Sequence, residues 1–212
     1  MCFFSENLHE LSEIEYIQDM VNEFKAWISD NTNLYEALEG QIGNIKKDSR
    51  ALSLGKYGLI PSLVMRELCD NVDALCLDRE FIEDFRYNTD QECTVKLVQT
   101  IDGNYDFIYS PLYINSIEKS DAVKHLFDVY DHLKVNGTFI LTFQDAISPV
   151  VGPAKEIEVW YQSEIKHRWK VYTVQDLMET LKVIGFAFKG LEECTTDGLG
   201  RAVSIICTKV AK

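Results

Sequence analysis

The chain has 212 residues, 46% hydrophobic and 26% charged, the size and balance of one α/β domain with a small helical extension. Its formal net charge of −13 speaks against nucleic acid, because an acidic protein gains nothing by releasing counterions from a phosphate backbone. No apolar run approaches the ~20 residues that span a bilayer, and the six cysteines follow no leader pattern and form no C-x-x-C pair; the expectation is a reduced, cytoplasmic protein with no membrane partner.

The chain opens with a helical period. Leu11, Ile14, Ile17, Val21, Phe24 and Ile28 recur at three- and four-residue intervals, with Ser12 and Glu15 able to form a capping box. A shorter helix is expected over 33–38, before Gly40 and Gly43. Residues 1–48 thus read as an N-terminal helical extension and 49–212 as an α/β domain. From Arg50 the pattern alternates. Residues 50–54 predict a strand ending at Gly55, and 61–68 a helix with Pro61 in its first turn. Further strands are expected over 72–77, closed by Asp78, over 95–98, and over 105–109. Residues 121–133 predict an amphipathic helix, and Asn136-Gly137 turns into a strand over 138–143. Residues 146–153 read as loop and 156–169 as helix. A last helix spans 173–184, with Thr173 as its N-cap and Gly185 as its stop. The strands over 186–191 and 202–208 have only a short turn between them, so they are expected to form an antiparallel hairpin. Strand-helix alternation implies a mostly parallel sheet with helices on both faces.

That order, five strand-helix units and then a hairpin, resembles class I S-adenosylmethionine-dependent methyltransferases over roughly 50–209. Arg50-Ala51-Leu52-Ser53-Leu54-Gly55 resembles the family's first strand and glycine turn. Asp78 ends the second strand where the family has its ribose-binding acid. Residues 105–110 resemble the fourth strand and its exit, and 132–141 the turn into the fifth. The resemblance implies a Rossmann-like seven-stranded sheet with a C-terminal antiparallel hairpin. It implies S-adenosylmethionine as cofactor, S-adenosylhomocysteine as product, and methyl transfer to a small molecule. Gly55, Lys56, Tyr57 and Gly58 would line the methionine end, Asp78 and Arg79 the ribose, and Ser110 the transfer side. Asp78 follows Gly55 by 23 residues, near the ~20 that such a site needs. The pattern departs from the family at Ser53, where an acid is usual, and at Tyr57 and Leu59, where glycines are usual. Asp102 is the candidate for the family's adenine-contacting acid.

Ser110-Pro111-Leu112-Tyr113 resembles the Asn/Asp-Pro-Pro-Tyr motif of enzymes that methylate amino nitrogens, without its second proline; Tyr113 is a substrate-lining candidate. Trp160 and Trp169 belong to an aromatic and basic cluster, and an aromatic wall suits a flat or apolar substrate. Asp121, His125, Asp128 and His132 share one helical face. Only adjacent pairs among them could reach one ion, so they read as a solvated polar face and no metal is expected. No side chain identifies itself as catalytic. The N-terminal helices would serve as a lid or as a homodimer contact. The other reading is a non-catalytic methyltransferase-like module that binds a partner protein through its acidic surface and first helix.

Overall fold

A computed structural model describes residues 45–55, 58–76, 96–145, 147–148, 152–153, 156–161, 164–196 and 200–211. The expected N-terminal helices, and Lys56, Tyr57, Asp78 and Arg79, lie outside these residues. The elements in chain order are β1 (Arg50–Leu54), α1 (Leu59–Leu68), β2 (Asn71–Leu75), β3 (Lys96–Val98) and β4 (Tyr105–Pro111). A 3₁₀ turn (Tyr113–Ser116), α2 (Lys119–His132) and β5 (Leu133–Gln144) follow. Then come β6 (Ile147–Ser148), β7 (Gly152–Pro153), β8 (Glu156–Tyr161), β9 (Glu164–Lys170), α3 (Val174–Ile184), β10 (Phe186–Thr196) and β11 (Gly200–Lys209).

The main sheet runs in the order β10-β11-β5-β4-β1-β2-β3. β1, β2, β3, β4 and β5 pair in parallel, while β11 pairs antiparallel with β5 and with β10. The central strands β1, β2 and β4 are buried almost throughout, as expected where both faces are covered. Leu52, Ile108, Phe139 and Leu141 share one core cluster with Leu126 and Val129 of α2 and Leu177 and Leu181 of α3. Ala51, Ala74, Phe107, Tyr109 and Ile140, outside that cluster, are buried as well. α1 packs against β1 and β2, with Met65 fully buried.

The caps follow local chemistry. Thr173 Oγ1 accepts the Asp176 N–H at 3.1 Å and opens α3. Gly185 closes it at φ +121, where an added Cβ would stand 2.8 Å from Tyr130 Oη.

Two expectations are corrected here. Residues 156–169 are not a helix: β8 and β9 form an antiparallel pair, with Val159 opposite His167 and Trp160 opposite Ile165. Glu156 to Tyr161 alternates in part with period two and is rich in β-branched and aromatic residues, which a pleated pair accommodates. Asp102 is not at the carboxyl edge of the sheet. Its carbonyl accepts from Arg50 Nη2 at 3.0 Å, with Tyr105 Oη at the same distance, at the amino edge where β1 and β4 begin. The short link from β3 to β4 has already carried the chain across the sheet by that point.

The amino edge is clamped by the same arginine. Arg50 bonds Asp73 at 3.2 Å from Nε and 2.6 Å from Nη2, and lies over the Tyr105 ring. Tyr105 Oη donates to the same Asp73 oxygen at 2.7 Å. The Arg50 N–H and Lys134 both donate to Asp106. Burial alone would raise the Asp106 carboxyl, but these two donors outweigh it and hold it below the ordinary carboxylate range.

Candidate functional site

Strand order reverses between β1 and β4: the chain steps outward from β1 to β3, then returns to the other side of β1. In open α/β sheets the ligand crevice lies outside the carboxyl ends of the strands at such a reversal. The residues that leave β1 and β4 therefore build the candidate site.

β1 ends at Gly55 with φ +78, a left-handed conformation that glycine adopts without a steric cost. The Gly55 N–H donates to the Leu75 carbonyl at 2.7 Å, and the Gly58 N–H to the Gly55 carbonyl at 3.0 Å. The chain thus turns within four residues into the start of α1. Neither glycine has room for a side chain. A Cβ on Gly55 would lie 2.7 Å from Tyr113 Cδ2, and one on Gly58 2.6 Å from Ser53 Oγ.

On the β4 side, Ser110 is fully buried and its Oγ has no hydrogen-bond partner among the described residues; the same holds for Ser53 Oγ. Leu112 follows with φ +55, a strained conformation for a branched side chain, held by its N–H on the Thr142 carbonyl at 2.8 Å. That reversal sends the chain into the 3₁₀ turn and sets the Tyr113 ring on Gly55. The structure therefore brings Gly55, Gly58, Ser110 and Tyr113 to the carboxyl end of the β1–β4 seam. Burial raises the Tyr113 hydroxyl above its usual range, with Cys76 and Asp121 adding to the effect.

His125 of α2 packs edge-on against Tyr113, with ring centroids 4.5 Å apart and planes at 65°. Burial pushes its imidazole down to about 4, and Nε2 has no partner among the described residues. The expected solvated stripe on α2 is thus corrected at one position: Asp121 and Asp128 face solvent, whereas His125 is buried. The described residues hold no cluster of three or more metal-ligating side chains.

The rim is tied together by Tyr172, a member of the aromatic cluster seen in the sequence, and by Asn115 and Asp145, which the sequence did not single out. Asn115 Oδ1 accepts the Gln144 N–H at 3.1 Å, and its Nδ2 donates to the Lys170 carbonyl at 2.6 Å. Tyr172 Oη donates to the Ile114 carbonyl at 3.0 Å. Burial, with Glu118 adding, raises the Tyr172 hydroxyl to about 12, so it remains a donor at neutral pH. These bonds join the ends of β4, β5 and β9. Asp145, fully buried, closes β5 on the same edge and bridges to Tyr172. Trp160 and Trp169 lie on β8 and β9, and β9 packs beside the 3₁₀ turn that carries Tyr113. An open cavity of about 320 Å³ lies at the other edge, lined by Lys46, Asp106 and Asn136 among others; it is remote from the strand reversal.

The residues that would hold a nucleoside-bearing sulfonium are those of the turn itself. Tyr113 stands beside Gly55 and Ser53 Oγ beside Gly58, and Ser110 carries a buried hydroxyl with no partner among the described residues. Among the described residues no helix is long and apolar enough to cross a membrane.

No family model and no curated protein matches this sequence. Solved structures do. A methyltransferase from Clostridium acetobutylicum, described as S-adenosylmethionine-dependent, superposes with a TM-score of 0.66 at 16% identity, over 91% of this chain and 100% of that one. One from Mesorhizobium loti gives 0.63 at 14%, over 82% and 97%. The glycopeptide N-methyltransferase MtfA, in complex with S-adenosylmethionine, gives 0.63 at 18%, over 82% and 92%. The chain has a class I methyltransferase-like fold.

Proposed function

From that fold, we propose that the protein transfers a methyl group from S-adenosylmethionine to a small molecule and releases S-adenosylhomocysteine. One observation supports this above others: a glycine turn at φ +78 stands at the strand reversal of a sheet in a fold that superposes on solved methyltransferases. In this reading Gly55, Lys56, Tyr57 and Gly58 hold the methionine end, Asp78 the ribose hydroxyls, and Arg79 stands beside it. Ser110 and Tyr113 border the transfer site. Trp160 and Trp169, on the β8–β9 hairpin, line the substrate side. The segment 1–48 serves as a lid or as a contact between two copies.

S-adenosylmethionine, held by Gly55, Lys56, Tyr57, Gly58 and Asp78, would supply a methyl group activated by its sulfonium for transfer to a lone pair of the substrate. This chain's residues hold the two reactants in line and exclude water, an alignment worth ~7–11 kcal/mol in well-oriented reactions. Among the described residues at this edge, neither Tyr113 nor His125 acts as a strong base. Tyr113 keeps its proton because burial raises its hydroxyl, and His125 is neutral but enclosed. The arrangement favours an amine, thiolate or phenolate nucleophilic enough to react unaided, with any proton it carries lost to solvent on product release.

Binding to the folded state raises thermal stability by mass action, by ~2.7 kcal/mol at a hundredfold excess over Kd. S-adenosylhomocysteine should raise the melting temperature by roughly 5–10 °C, and Asp78→Ala should abolish the shift. An unchanged melting temperature at millimolar ligand would refute the proposal. It would favour the partner-binding module, a reading that draws support from Ser53 standing where the family has an acid.

A further inference from the structure

Tyr113 reaches Gly55 from outside the glycine turn. Its ring stands where a Cβ on Gly55 would go, so the first glycine and the ring form one packed unit. The ring is fixed on three sides. Leu112, at φ +55, sets the backbone from which it departs. The 3₁₀ turn is tied to β5 and β9 through Asn115. The remaining side is the imidazole of His125. Stability alone does not account for an imidazole here. The position is 8% exposed, Nε2 has no partner among the described residues, and an apolar side chain of similar volume would avoid burying an unpaired nitrogen. What an imidazole supplies that leucine cannot is a flat aromatic edge, and edge-to-face pairs have a preferred geometry.

We infer that His125 is a positioning residue: its ring fixes the orientation of Tyr113 against Gly55 and so shapes the methionine end of the cofactor site. This rests on the methyl-transfer reading above. His125 contacts no reacting atom; it acts through Tyr113. Because its imidazole is neutral down to about pH 4, it presents an uncharged ring to Tyr113 throughout the physiological range.

Two substitutions of similar bulk separate the ring from the volume. His125→Phe keeps an aromatic edge and His125→Leu only fills the space. The readouts are the ring resonances of Tyr113 in protein labelled at tyrosine, assigned through Tyr113→Phe, and calorimetric titration with S-adenosylhomocysteine. The expected result is that His125→Leu shifts the Tyr113 ring signals and weakens binding roughly three- to tenfold, the worth of one edge-to-face pair. His125→Phe should restore wild-type affinity to within about twofold. If His125→Leu leaves both ring signals and affinity unchanged, or loses melting temperature alone, the inference is overturned while the functional reading stands. Failure of His125→Phe to restore binding overturns it equally. If the wild-type protein binds no S-adenosylhomocysteine, the functional reading falls and takes this role with it.

Discussion

At Gly55 the backbone sits at φ +78 and a side chain would collide with Tyr113. Gly55→Ala should therefore cost about 2–3 kcal/mol, combining left-handed strain with the displaced ring, as read by urea unfolding. A loss below about 0.5 kcal/mol would mean that the turn relaxes freely. His125 carries a second prediction. Its folded-state value is about 4 against an ordinary 6.5, so between these limits the unfolded chain binds the proton and the native chain does not. Stability is full above 6.5 and is lost as pH falls towards 4. The loss from this group between about pH 7.5 and about pH 5 should be about 2 kcal/mol. His125→Phe should remove that component; an unchanged pH profile in the variant contradicts the buried neutral imidazole. The burial of His125 could have been read from spacing. It stands three residues after Ala122 and four before Val129, both on the apolar face. The polar stripe through Asp121, Asp128 and His132 is equally regular, and helical period alone does not choose between them.

The elements respond to caps and clamps. Thr173→Ala removes the acceptor for the Asp176 N–H and should cost about 1 kcal/mol. Arg50→Met leaves Asp73 buried at 5% exposure with Tyr105 as its remaining side-chain donor among the described residues. It should destabilise the β1–β2–β4 seam by about 2 kcal/mol, measured by chemical unfolding. In a Tyr105→Phe background the effect should change, because the two donors share one carboxylate oxygen. The helix α3 was legible because its cap and stop are local. The hairpin β8–β9 was not, because Ile157, Tyr161, Ile165 and Trp169 recur every four residues, a helical spacing. Ile157, Val159 and Tyr161 also alternate. Short segments satisfy both periods, and the pairing of β8 with β9 decides between them.

For the whole molecule, the parallel part of the sheet follows from strand-helix alternation and its antiparallel edge from the C-terminal hairpin, both visible in the sequence. The glycine at the strand reversal was equally visible, since a strand that must turn sharply announces itself by Gly55. The rim was not. Asn115, Tyr172 and Asp145 come from three separate stretches of chain, and only folding brings their bonds to one edge. The central claim is that this edge holds S-adenosylmethionine, and isothermal titration calorimetry with that ligand tests it most directly. The account predicts saturable binding tighter than ~100 μM that is abolished by Gly55→Ala; no heat with either S-adenosylmethionine or S-adenosylhomocysteine would contradict it.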